Sequence, residues 1–209
     1  MLHPSSPSKA VLKRLVNSGF CTLLVIPADE RNEVENFILE SYDFIVTQMD
    51  AIEQNLAELG YDTLPKTVVH GDYVRKNVIL NGNEVALVID WDRVVLKETR
   101  MYDIVWAMFS FAAVGTENIS FLEGDEEKFK DVNTFLKAYH EVNPLTSDEM
   151  RLIPEIYRAI MIEFFSYTNN PHKQISMRNP DSLNFYRKVL ENLKKIDTLD
   201  WEKLINLIP

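Results

Sequence analysis

Glycine is scarce, and where it is missing excludes a familiar device. The 209 residues contain six glycines, and only Gly19 and Gly60 precede residue 70. The first third therefore has no glycine-rich loop of the kind whose backbone amides cradle nucleotide phosphates. Cysteine is scarcer still. Cys21 stands alone, which excludes an intrachain disulfide framework and fits a reducing, cytoplasmic setting. Lying in the run Phe20 to Ile26, it reads as a small buried residue rather than a nucleophile. No stretch approaches the ~20 apolar residues of a membrane span. Lys9, Lys13 and Arg14 ahead of that run outline a signal peptide only faintly, because Asn17, Ser18 and Gly19 interrupt it. Basic residues are also in deficit, 22 against 32 acidic, for a net charge of −10. That balance argues against a nucleic-acid partner, which needs a basic face. It is compatible with a cationic small-molecule partner, although an acidic surface commonly serves solubility alone.

What is present is ordinary globular material, 46% apolar and 26% charged, long enough for one domain with a real core. Met1 to Pro7 is a loose start, and Ser8 can cap a short helix ending near Gly19. Cys21 to Ile26 is a short run that reads as a strand. Val34, Phe37, Ile38, Ile45, Met49, Ile52, Leu56 and Leu59 recur at helical spacing, which predicts one long helix from Arg31 to Leu59, stopped by Gly60. Thr67 to Val69, Val78 to Leu80 and Glu84 to Ile89 predict strands. The last two flank Asn81-Gly82-Asn83, a hairpin signal. Further helices are predicted at Met101–Val114, Asp125–Val142, Ser147–Tyr167 (Pro154 starting or kinking it), Asp181–Lys195 and Trp201–Ile208. The fold class is α+β and mostly helical, around a small β-hairpin.

The segment HGDYVRKNVILNGNEVALVIDWD, residues 70–92, concentrates the chemistry. Asp72 and Asn77 lie five residues apart on one loop, and the hairpin folds Asp90 back towards them. An Asp on such a loop can accept a proton from an attacking hydroxyl. An Asn and a second Asp can hold Mg²⁺ against nucleotide phosphates. Taken singly, each residue reads as a turn cap or strand end. The spacing of the set is what points to phosphoryl transfer.

His70, Gly71, Asp72 and Asn77 match H-G-D-x-x-x-x-N. Val88, Ile89, Asp90, Trp91 and Asp92 match an apolar-Ile-Asp motif, and Asp103-Ile104-Val105 opens a helix. In these motifs the chain resembles the aminoglycoside phosphotransferase and choline kinase-like family, which also holds homoserine kinase-like and spore-coat-associated members. The resemblance implies the C-terminal lobe of a protein-kinase-like fold over residues 31–209, with residues 1–30 a remnant of the inter-lobe region. It implies Asp72 as catalytic base with His70 beside it, and Asn77 and Asp90 on Mg²⁺. Gly71 and Asp103 would shape the loop. Read from position alone, Arg75 and Lys76 inside the loop can meet cofactor phosphate or substrate oxygens or stand as solvated charges, and Asp92 can support the cofactor metal or cap the turn. The implied cofactors are Mg²⁺ and ATP, with GTP as an alternative, and the acceptor is a small-molecule hydroxyl.

Full members of that family carry an N-terminal nucleotide lobe of strands with a phosphate-contacting Lys. The residues before His70 read mostly as helix and have no Lys in a strand context. That lobe is therefore expected to be missing, leaving an apolar patch near the helix of residues 31–59 and the hairpin, and a tendency to self-associate. Three readings stay open. One is a small-molecule kinase. Another is an inactive lobe acting as a binding or assembly module. The third is a metal-dependent phosphohydrolase, which lacks a second metal cluster. Trp91 and Trp106 can stack a substrate ring, Trp106 reading rather as core. Glu163 can face a cleft or solvent, and His140 and His172 have no metal-ligand spacing.

Overall fold

The structure, a computed structural model, describes residues 20–21, 23–112, 126–166, 179–198 and 201–202. Contacts divide them into two compact units. One holds residues 20–21, 23–56, 158–166 and 179–197, and the other residues 57–112, 126–157, 198 and 201–202.

In the first unit, Phe20, Cys21, Leu23 and Leu24 are helical, not extended. Phe20 and Leu23 are buried three residues apart while Leu24 is exposed. That is a helix period, and it carries Cys21 to the exposed side. The expected strand and the expected burial of Cys21 are both corrected. The long helix predicted from Arg31 to Leu59 is two helices, α1 (Glu33–Glu40) and α2 (Tyr42–Glu58). Asn32 and Glu35 form a reciprocal capping box that starts α1. Ser41 ends it, its hydroxyl donating back to the Phe37 carbonyl at 2.8 Å. Such back-bonding offers the chain an alternative to the helical ladder and bends it. Of the predicted apolar stripe, Val34, Ile38, Ile45, Met49, Ile52 and Leu56 are buried, while Phe37 and Leu59 are half-buried.

Helix α1 packs on the amphipathic helix Pro180–Lys195. Arg158 is almost fully buried. Its guanidinium is held by Asp197 at 2.5 Å and by Gln48.

The other unit carries the strands. β1 (Thr67–Val69) pairs antiparallel with β4 (Val95–Glu98), and β2 (Val78–Asn81) with β3 (Glu84–Val88). The hairpin forms where Asn81-Gly82-Asn83 predicts it. Asn81 pairs with Glu84, so Gly82 and Asn83 are the turn residues. Gly82 has φ 63°, the left-handed conformation that a tight hairpin requires at its first turn position. β4 is an unforeseen strand.

Two helices follow, α3 (Met101–Ala112) and α4 (Glu126–Val142), packed on each other. The helix predicted from Ser147 to Tyr167 is a single turn, α5 (Ser147–Met150), then α6 (Ile153–Ser166), with Pro154 in the first turn, where its missing amide costs nothing. α6 begins in this unit and runs on into the first. The helix expected from Ser8 to Gly19 lies outside the described residues, as does all but the start of the one expected from Trp201. No helix among the described residues is long and apolar enough to cross a membrane.

Candidate active site

The loop after β1 is built around a glycine and a carboxylate from another element. Gly71 has φ 80°, and a Cβ there would lie 2.1 Å from the Arg93 carbonyl oxygen. No other residue fits that turn, because both the conformation and the space are closed to a side chain. The Asp103 carboxylate, in the first turn of α3, accepts the His70 amide at 2.6 Å and the Gly71 amide at 2.9 Å. Burial pushes the Asp103 carboxyl above its usual range, and these two amides act against that shift.

His70 is buried. Its ring Nε2 donates to the Ile89 carbonyl at 2.9 Å, and Nδ1 accepts the Asp72 amide at 3.3 Å. Both bonds fit one neutral tautomer, with the proton on Nε2. The imidazole thus works as a strut between the loop and the end of β3. Trp91 lies over it with ring centroids 4.7 Å apart, its indole Nε1 donating to the Val88 carbonyl at 2.9 Å.

Asn77 is buried and closes the loop. Its Nδ2 donates to the Asp72 carbonyl at 2.9 Å and to Asp72 Oδ2 at 3.3 Å. The Asn77 carbonyl accepts the Ile89 amide at 2.9 Å. Ile89 is thereby fixed twice, through its amide by Asn77 and through its carbonyl by His70. The next residue is Asp90. The expected convergence of the Asp72–Asn77 loop with the Asp90 turn is therefore met by main-chain bonds, not by proximity of strands alone.

Asp90 itself is exposed and has φ 65°, ψ 56°. Among the described residues it is the one non-glycine with positive φ. Left-handed backbone costs an L-residue roughly 1–2 kcal/mol, and such strain is typically kept where function needs it.

The other expected positions are placed as follows. Lys76 is largely exposed, with Nζ 3.7 Å from Asp72 Oδ2. Arg75 is exposed, and its amide donates to Ser110 Oγ at 2.7 Å. Asp92 is exposed in the same turn as Trp91. Trp106 is core. The His140 imidazole Nδ1 accepts the Leu145 amide at 3.0 Å. Glu163 is half-buried in the first unit, and His172 lies outside the described residues. Three contributors escaped sequence reading: the Ile89 main chain, the Ser110 hydroxyl and the Arg93 carbonyl. Two are backbone groups, which no residue type announces.

Among the described residues, no three His, Cys, Asp or Glu side chains converge as a metal cluster. A nucleotide-bound Mg²⁺ asks for less: one or two protein oxygens, with phosphates and water completing the shell. The Asn77 amide oxygen and the Asp90 carboxylate are donors of that kind.

Among known proteins, residues 29–145 match the phosphotransferase enzyme family. A homoserine kinase of Methylobacillus glycogenes is 33% identical over 124 residues, 55% of this chain and 34% of that protein. A homoserine kinase of Methylobacillus flagellatus is 30% identical over 110 residues, 52% of this chain and 32% of that protein. A third, from Neisseria meningitidis serogroup B, is 27% identical over 121 residues, 58% of this chain and 35% of that protein. The matches span about a third of the length of these relatives. No solved structure matches the chain. With the family match extending over more than half of its residues, the chain belongs to the phosphotransferase enzyme family.

Proposed function

We propose that residues 31–209 form the catalytic lobe of a small-molecule kinase, transferring the γ-phosphoryl group of ATP to a hydroxyl of a homoserine-like, choline-like or aminoglycoside acceptor. The observation that carries this reading is the double fixing of Ile89 by His70 and Asn77, which ties the Asp72 loop to the Asp90 turn.

Asp72 is the base. Its Oδ2 is engaged by Asn77 Nδ2 and stands near the Lys76 ammonium. Oδ1 is left to take the proton as the acceptor oxygen attacks phosphorus and the bond to the nucleotide oxygen breaks. Because Nδ2 of Asn77 is spent on Asp72, its Oδ1 would be the oxygen to hold Mg²⁺, together with the Asp90 carboxylate. When bound, Mg²⁺ would neutralise the charge of the phosphates. Arg75, Lys76 and Asp92 sit on the exposed rim of the same loops, where the two cations can meet phosphate oxygens. GTP fits this chemistry as well as ATP, since nothing in the residues named reads the base. The net negative charge favours a cationic acceptor, and the nucleotide supply and lone cysteine suit the cytoplasm.

Incubation with γ-labelled ATP, Mg²⁺ and homoserine, choline or an aminoglycoside tests the reading. Label should pass to one of them and fall on the order of 10²–10⁴-fold in Asp72→Asn, the loss expected for a general base. Transfer unchanged in Asp72→Asn, or none by the wild-type chain, would overturn it.

A further inference from the structure

The Asp72 loop hangs on Asp103, and Asp103 sits in the first turn of α3. Whatever fixes that turn therefore fixes the loop. We infer that Glu149 is a positioning residue for the Asp72 loop, acting through a brace on Arg100, the residue immediately before α3, whose carbonyl accepts the Ile104 amide. The inference rests on the reading of that loop as the reacting site.

The brace is two-pronged. Arg100 Nε donates to Glu149 Oε1 at 2.7 Å and Arg100 Nη2 to Glu149 Oε2 at 2.8 Å. Nη2 also donates to the Pro144 carbonyl at 2.6 Å. The guanidinium lies 5.8 Å from the centroid of the Tyr139 ring, on α4. The Glu149 side chain is 5% exposed and that of Arg100 22%. A bidentate pair so shielded fixes orientation as well as distance.

Glu149 is itself held. Its Oε2 accepts the Thr146 amide at 2.9 Å in a capping box at the start of α5. The anchor is thus a rigid corner, not a free side chain. From it the chain of contacts runs Glu149, Arg100, the first turn of α3, Asp103, and then the amides of His70 and Gly71. The strand side of the same junction is held separately. Buried Glu98 accepts the Thr99 amide at 2.7 Å and the Tyr61 hydroxyl. Glu149 supplies the hold on Arg100.

Cap and brace separate cleanly by mutation. Glu149→Gln keeps a capping side chain but loses the charged fork. Thr146→Ala loses the Oγ1 bonds to the Glu149 amide and to Oε2, both at 3.2 Å, and keeps the fork and the Oε2 bond from the Thr146 amide. The readout is amide hydrogen exchange at His70 and Gly71 in the full chain without nucleotide, referenced to the Ile160 amide in α6. Glu149→Gln and Arg100→Met should each accelerate exchange at His70 and Gly71 about tenfold over the reference, the scale of a lost charge-assisted bond. Thr146→Ala should leave that ratio unchanged. A uniform acceleration at all three amides, or a Thr146→Ala profile equal to that of Glu149→Gln, would overturn the brace and leave Glu149 a helix cap. Because exchange is read in the free chain, the result decides the brace whether or not phosphoryl transfer is found. Should Arg100→Met fail to fold, Glu149→Gln alone decides it.

Discussion

At the scale of single residues, Asp90 and Gly71 carry left-handed backbone for different reasons. Gly71 is there because nothing else fits: the Arg93 carbonyl occupies the place of a side chain. Gly71→Ala should therefore cost more than the roughly 1–2 kcal/mol of the backbone conformation alone, read as a drop in chemical-denaturation midpoint. Asp90 is held in that conformation although its side chain is not required by packing. Replacing it by glycine should relieve about 1 kcal/mol of strain. The expected outcome for Asp90→Gly is a raised thermal midpoint together with lost nucleotide binding, checked by calorimetry on one sample. A midpoint that falls would mean that the carboxylate stabilises the fold. Such a trade of stability for a ligand would mark a site residue, and a sequence cannot display it, since backbone conformation at Asp is not written in the residue type.

At the scale of elements, the hairpin was legible because its signals are local. Gly82, the β-branched flanks and the two-residue turn all lie within a dozen residues. β4 was not legible. Its partner β1 lies some thirty residues away, and both are short segments of residues with exposed faces. The break at Ser41 was missed because the apolar stripe runs straight through it and only the hydroxyl bond to Phe37 shows it. That Asp72 and Asn77 share one loop was legible from spacing, whereas the tie through Ile89 rests on its main chain and has no sequence mark. The Arg100–Glu149 pair belongs to this scale too and leads to a pH prediction. Burial raises the Glu149 carboxyl, but the bonds from Arg100 and from Thr146 outweigh it and hold the group below its ordinary 4.5. A depressed folded value means that the stabilisation is complete above 4.5 and is lost as pH falls through the lower, folded value. Denaturation midpoints followed from pH 7 down to acid should fall more steeply for the wild type than for Glu149→Gln. Parallel curves would remove the pair from the stability balance.

At the scale of the whole molecule, exposed apolar side chains gather on the strands. Ile79 pairs across the hairpin with Leu87, and Leu80 with Val85, and all four are at least 45% exposed. Val68 and Leu96 on β1 and β4 are exposed as well. The apolar patch expected near the helix of residues 31–59 and the hairpin is found on the strands, the hairpin included, while no large exposed apolar residue of that helix pair contributes to it. Exposed apolar area of this kind promotes association. Light scattering at rising concentration should report association that Leu80→Lys with Leu87→Lys suppresses. A wild-type chain that stays monomeric throughout would show the patch to be tolerated. The core was the most legible feature of all, since apolar periodicity reports burial directly, as the stripe from Val34 to Leu56 shows.

The most direct measurement is calorimetric titration of the chain with ATP, with and without Mg²⁺, beside Asp90→Ala as control. Saturable binding that needs Mg²⁺ and vanishes in Asp90→Ala, with helical content unchanged by circular dichroism, is the predicted result. No binding at millimolar nucleotide, or binding undiminished in Asp90→Ala, would contradict the assignment of the Asp72 loop and the Asp90 turn as a phosphoryl-transfer site.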